Sequence, residues 1–188
     1  MSKVDSIKRD LEEMLSEYRY LHCLRVAKEA KRLARLYSCD EEKAYLAGLV
    51  HDIAKEFTLE QNREAIYKYS LPIELLNDDY FKMLHSDIGA CIAYDKYHLD
   101  RDVCHAIKSH TIGDIPMNTL DKIVFVADKI EPFKLYDGID EEREVANKDI
   151  HEATILCIQN HHKKLIKQHK NIYPKSIEVL NYLKNNKE

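Results

Sequence analysis

The dipeptide His51-Asp52 closes the apolar run Ala44-Tyr45-Leu46-Ala47-Gly48-Leu49-Val50, and Lys55 follows His51 by four residues. Ala44, Ala47, Gly48 and His51 recur at i, i+3, i+4 and i+7, the spacing of one buried helix face. That spacing predicts an imidazole aimed inward from the last turn of a helix, with a carboxylate beside it. A buried, ionised Asp52 costs on the order of several kcal/mol unless it is paired or binds a cation. A bare His-Asp pair also fits a packed core histidine next to a helix-end carboxylate bonded to backbone.

The same juxtaposition recurs along the chain. His22 heads a stripe continued by Val26, Ala30, Leu33 and Tyr37, with Arg19 one turn before it. His110 ends a face shared with Val103 and Ile107, Asp128 follows Val124 by four residues, and His85 stands at the mouth of another helix. Singly, each reads as a satisfied core histidine or a capping acid. Their coincidence is not explained by packing. Neutral imidazoles mixed with carboxylates suit iron, manganese, zinc or cobalt better than calcium. An ion of that kind acidifies water and polarises a phosphoryl oxygen. With Arg19, Lys55 and Lys134 as cations, the chemistry points to a phosphate ester or anhydride. His161-His162 is different, because neighbouring helical side chains diverge by about 100°. That pair is expected to be solvated rather than chelating.

The elements that must position these groups are helical. Helices are expected over residues 4–15, from Ser16 to about Tyr37, and from an Asp40 cap to His51-Asp52. A capping box at Thr58-Leu59-Glu60-Gln61 opens another, to about Tyr69, and residues 78–84 form a loop or short helix. Asp100 caps the next, one starts near Thr119 and carries Asp128, a continuous one runs from Asp140 to about Lys170, and Pro174 opens the last. With 4 Gly and 4 Pro in 188 residues there is little material for sheet turns, so the expected fold is all-α. One domain is expected over 1–188, with a core at about 16–170 and a turn and helix at 171–186 completing the pocket. A net charge of −4 argues against a nucleic-acid partner. Five cysteines without C-x-x-C, no signal-like apolar core and no membrane-length apolar stretch suggest a cytoplasmic protein with no membrane partner. The apolar residues of the first helix permit either a brace or lid, or a homodimer.

In order, His22, His51-Asp52 and Asp128 resemble the H…HD…D signature of the HD-domain metal-dependent phosphohydrolases. The finer pattern is Arg19-Tyr20-Leu21-His22, His51-Asp52-Ile53-Ala54-Lys55, His85, His110-Thr111 and Ala127-Asp128-Lys129-Ile130-Glu131-Pro132. It is similar to the bacterial YqeK subfamily, which are symmetrical bis(5′-nucleosyl)-tetraphosphatases. The resemblance implies an all-helical HD fold in which His22, His51, Asp52 and Asp128 bind iron. It implies catalytic roles around Asp52, Lys55, His85 and His110, with the two histidines over the phosphates or holding a second metal. Arg19, Lys55, Thr111 and Lys134 would contact phosphate beside Asp128, and the turn Asn171-Ile172-Tyr173-Pro174-Lys175-Ser176 would meet the nucleoside. The implied substrate is a small-molecule nucleotide, diadenosine tetraphosphate, cut into two ADP. On the same fold, a hydrolase of another nucleotide and a non-hydrolytic nucleotide sensor are the alternatives. Three positions depart from the subfamily: Lys134 replaces an arginine, Asp114 a basic residue and Ile112 a hydroxyl residue.

Overall fold

The computed structural model describes residues 2–77 and 80–186. Asp78, at the start of the expected 78–84 segment, and the outermost residues of the expected 1–188 domain lie outside the described residues. Among the described residues there are ten α-helices, one 3₁₀ turn (Ile73–Leu76) and no strand. The helices are α1 (Lys3–Met14), α2 (Glu17–Leu36), α3 (Glu41–Val50), α4 (Leu59–Tyr69) and α5 (Leu84–Asp95). They continue as α6 (Arg101–Ser109), α7 (Thr119–Ile130), α8 (Ile139–Ala146), α9 (Ile150–Lys167) and α10 (Pro174–Asn185).

Local chemistry sets most of these boundaries. The Ser16 hydroxyl accepts from the Arg19 amide, the Asp40 carboxylate from the Glu42 and Lys43 amides, and Thr58 and Gln61 close a reciprocal capping box. Asn118 and Asp121 do the same for α7. Asp100 stands at the N-cap of α6, but its carboxylate pairs with Lys43 at 3.0 Å and makes no capping bond. The expected continuous helix from Asp140 to Lys170 is two helices. The apolar pattern runs on across the junction through Val145 and Ile150, which hides the break. Asp149 makes it, accepting from the His151 and Glu152 amides as the cap of α9.

α2 lies against α3 and α7, and this sandwich carries His22, His51, Asp52 and Asp128, while His85 comes from α5 and His110 from the end of α6. Gly48 permits the approach: a Cβ there would stand 2.9 Å from Ala27 Cα and 3.0 Å from Ala27 N. α1 is a brace. Its Ile7 and Leu11 are fully buried within the chain. The turn at residues 111–114 pivots on Gly113, whose φ is +83°. His161 is exposed as expected, but His162 is not solvated. It is buried and shares a 2.8 Å hydrogen bond with the Ser176 hydroxyl, because the face of α9 that it occupies is covered by the start of α10.

Candidate metal and phosphate site

Four histidines from four different segments point their Nε2 atoms at one spot. The orientation of three of them is set by their own helix ends. His51, His85 and His110 each place Nδ1 on the carbonyl three residues earlier, at 2.7 Å to Gly48, 3.0 Å to Lys82 and 2.6 Å to Ile107. A carbonyl can only accept, so Nδ1 carries the hydrogen, and in the neutral ring Nε2 is a bare lone pair. Burial keeps His110 neutral, pushing its pKa down to about 3, and lowers that of His85 as well. For His22 the support is a side chain: Nδ1 lies 3.2 Å from Glu131 Oε1.

The two carboxylates complete the cluster. His22 Nε2 is 3.0 Å from Asp128 Oδ1 and 3.8 Å from Asp52 Oδ2. His51 Nε2 is 3.4 Å from Asp52 Oδ2 and 3.7 Å from Asp128 Oδ1. Metal–ligand bonds of ~2.1 Å separate neighbouring donors of one ion by roughly 3.0–3.4 Å, so these spacings suit a first-row divalent ion. Two donor sets, His22 with His51 and Asp128, and His51 with Asp52 and His110, each fall within 4.8 Å. His51 Nε2 and Asp52 Oδ1 are also buried with no hydrogen-bond partner among the described residues, a costly condition that a cation relieves. The residues present therefore fit a metal.

A second feature lies beside the first. His85 Nε2 and His110 Nε2 are 3.3 Å apart, at 3.2 and 3.6 Å from Asp52 Oδ1. Two lone pairs at that distance repel unless a proton or cation lies between them. Lys55 Nζ supplies one N–H, donating to His85 Nε2 at 3.1 Å.

Cations ring the cluster. Arg19 Nη1 donates to Asp52 Oδ2 at 2.7 Å, Lys129 Nζ to Asp128 Oδ2 at 2.7 Å, and Lys134 Nζ stands 3.8 Å from Asp128 Oδ1. Both acids are held well below the usual carboxylate range. Burial opposes this, and it is outweighed by His51, His110 and His85 around Asp52, and by Lys129 and His22 around Asp128. Burial lowers the pKa of Lys55.

The remaining expected contacts are less uniform. The Thr111 hydroxyl lies 3.5 Å from that of Ser86 on α5. The turn at residues 171–176 stands apart from the metal cluster. Tyr173 meets the Tyr80 ring edge-on at 5.4 Å, and Lys175 pairs with Asp114 at 2.9 Å, which gives the departing Asp114 an internal partner. Asn171 and Pro174 are exposed, Ile172 is half-buried, and the hydroxyl of Ser176 is committed to His162.

Glu131, Arg25 and Lys129 are the participants that sequence reasoning missed. Glu131 is buried and accepts from Arg25 Nε at 2.8 Å and from the Phe133 amide at 2.9 Å while it orients His22. The usable signal was its position one helical turn after Asp128. A partner that fixes the far nitrogen of a metal-binding histidine typically accounts for 10–100-fold in metal affinity. Glu131→Ala is accordingly expected to weaken metal binding by at least about tenfold in a chelator competition. Unchanged affinity would show that His22 is oriented by packing alone.

Comparison with known proteins follows the same residues. The family model for the HD domain matches residues 19–132. The symmetrical bis(5′-nucleosyl)-tetraphosphatase of Bacillus subtilis (strain 168) is 33% identical over 174 residues, covering 92% of this chain and 93% of that one. The protein of the same name from Staphylococcus aureus (strain NCTC 8325 / PS 47) is 36% identical over 182 residues, covering 95% and 93%. A crystal structure from Clostridium acetobutylicum, described as a predicted HD superfamily hydrolase involved in NAD metabolism, superposes with a TM-score of 0.91 at 37% identity, and each chain is covered in full.

Proposed function

This chain belongs to the HD domain family, and from that premise we propose that it hydrolyses dinucleoside polyphosphates, cutting diadenosine tetraphosphate at its centre into two ADP. The observation that carries the reading is the convergence of imidazole Nε2 atoms and two buried carboxylates inside a ring of cations. The relatives named for this activity align along nearly the whole chain.

His22, His51, Asp52 and Asp128 would hold one divalent ion, which we take to be iron, with manganese, cobalt or zinc able to use the same donors. Such an ion, when bound, supplies acidified water and Lewis-acid polarisation of a phosphoryl oxygen. His85 and His110 are placed for a second ion or for the phosphates themselves. The protein's own part is positioning and charge. Arg19 offers a fork to phosphate oxygens, while Lys134 offers a point charge and no bidentate pair. Lys55, set against His85, neutralises the charge that develops on the departing ADP. That ADP leaves as an anion, so it needs neighbouring cations more than a proton. Thr111 would contact phosphate, and the turn at residues 171–176 would take one nucleoside, with the Tyr80–Tyr173 pair as its aromatic floor. Ser176 acts there as a brace for the turn.

The whole chain would work as one domain, nearly all of its buried apolar side chains forming a single cluster. No helix among the described residues is long and apolar enough to cross a membrane. With all five cysteines free, the reducing cytoplasm is the compartment we propose.

The test is anaerobic purification, metal analysis, and incubation with diadenosine tetraphosphate followed by ion-exchange separation. Bound metal and ADP as the sole product is the expected result. ATP plus AMP, or intact substrate in the presence of bound metal, would overturn the assignment.

A further inference from the structure

The Asp128 edge of the cluster opens into a pocket of about 570 Å³, within the ~300–1,000 Å³ usual for small-molecule sites. It lies between the segment that follows α7 and the outer half of α9. None of the residues of the 171–176 turn lines it, so it is separate from the place given above to the first nucleoside.

Its walls are cationic. Lys129 and Lys134 stand at the metal end, and Lys163, Lys164 and Lys167 line it from the last two turns of α9. Three carboxylates face these five lysines, and two are already engaged: Asp128 by Lys129, and Glu142 by the Tyr136 hydroxyl and the Asn160 amide. Among the described residues, Lys163, Lys164 and Lys167 have no carboxylate partner. The helix dipole alone would place lysines in the last turn of α9. It does not explain why they share a cavity with Lys134 and Asp128. His161 lines the same pocket.

A substrate cut at its midpoint has two equal halves, and each must extend from the cleavage point into space able to hold a nucleoside diphosphate. We propose that the pocket between α7 and α9 is the second nucleoside-diphosphate subsite, with Lys134, Lys163, Lys164 and Lys167 on the phosphates and His161 against the base. This inference rests on the reading of the protein as a symmetric hydrolase.

The experiment is calorimetric titration of the metal-loaded protein with ADP, alongside steady-state cleavage of diadenosine tetraphosphate, for the wild type and for Lys164→Glu/Lys167→Glu. Both lysines are exposed, so the variant is expected to fold and melt as the wild type does. The wild type should bind two ADP per chain. The variant should bind one, with KM raised at least about tenfold and kcat changed less, since reversed charges act on a distant phosphate through Coulomb terms that salt weakens. One ADP per wild-type chain, or a variant with two ADP and an unchanged KM, would overturn the subsite. The ADP stoichiometry reads the pocket whether or not the wild type cleaves diadenosine tetraphosphate, so failure of the subsite and failure of the assigned activity are told apart.

Discussion

Asp52→Ala is expected to lose its metal and to lower cleavage of diadenosine tetraphosphate by roughly 10³-fold or more. Asp52 is 3% exposed, its Oδ1 has no hydrogen-bond partner among the described residues, and its oxygens stand 3.2–3.8 Å from Nε2 of His85, His51, His110 and His22. Among the described residues it is the one acid that touches both halves of the cluster, so its removal strips negative charge from both possible cation positions at once. Asp52→Asn separates charge from shape. It keeps the volume and one acceptor oxygen but cannot offset a divalent charge, and it should lose the metal as well. The measurements are metal content per chain after anaerobic purification and the rate of ADP release. Thermal unfolding of the metal-free proteins is the control, and an unchanged Tm is expected if the fold persists. An Asp52→Ala protein that turns over without metal would eliminate the mechanism, and one that keeps its full metal complement would remove Asp52 from the ligand set.

How much of this could be read from the chain itself depended on the range of the interaction. Helix starts were legible because their causes are local: Ser16, Asp40 and Thr58 accept from amides two or three residues on, and Pro174 sits at N1 of α10. The break between α8 and α9 was also local, but the uninterrupted apolar spacing outweighed the single Asp149 signal. His162 was misjudged because its burial comes from α10, which periodicity along α9 cannot reveal. The inward direction of His22, His51 and His110 followed from spacing. Their convergence did not, since His22 meets Asp128 across 106 residues of chain. Their recurrence at the ends of apolar stripes suggested one constellation, and the ordered resemblance named its members as ligands of one ion. Glu131 lay inside a quoted motif, yet its function is a contact with His22 109 residues away. The lysines of α9 carry no distinguishing signal in the sequence, since what sets them apart is the pocket they share with Lys134 and Asp128.

Gly48→Ala tests the link between that packing and the chemistry. By helix propensity alone, alanine should stabilise α3 by about 1 kcal/mol. Here the added methyl meets Ala27 Cα at 2.9 Å and Ala27 N at 3.0 Å, backbone atoms that no rotamer change can move aside. α2 must shift away from α3, and overpacking of this kind costs ~1–3 kcal/mol. The expected net effect is a loss of up to about 2 kcal/mol, seen as a fall in Tm of as much as roughly 8 °C for the metal-free protein. The same displacement separates His22 on α2 from His51 at the end of α3, whose ring centroids are 5.2 Å apart and whose Nε2 atoms belong to one donor set. Metal affinity should therefore fall together with stability, by about tenfold, the response of a site whose ligands are displaced without being removed. A rise in Tm with unchanged metal affinity would mean that α2 can yield without cost and that the His22–His51 spacing is set elsewhere. A fall in Tm with full affinity would confine Gly48 to packing. A joint loss would show that the glycine determines how closely the helices carrying His22 and His51 approach.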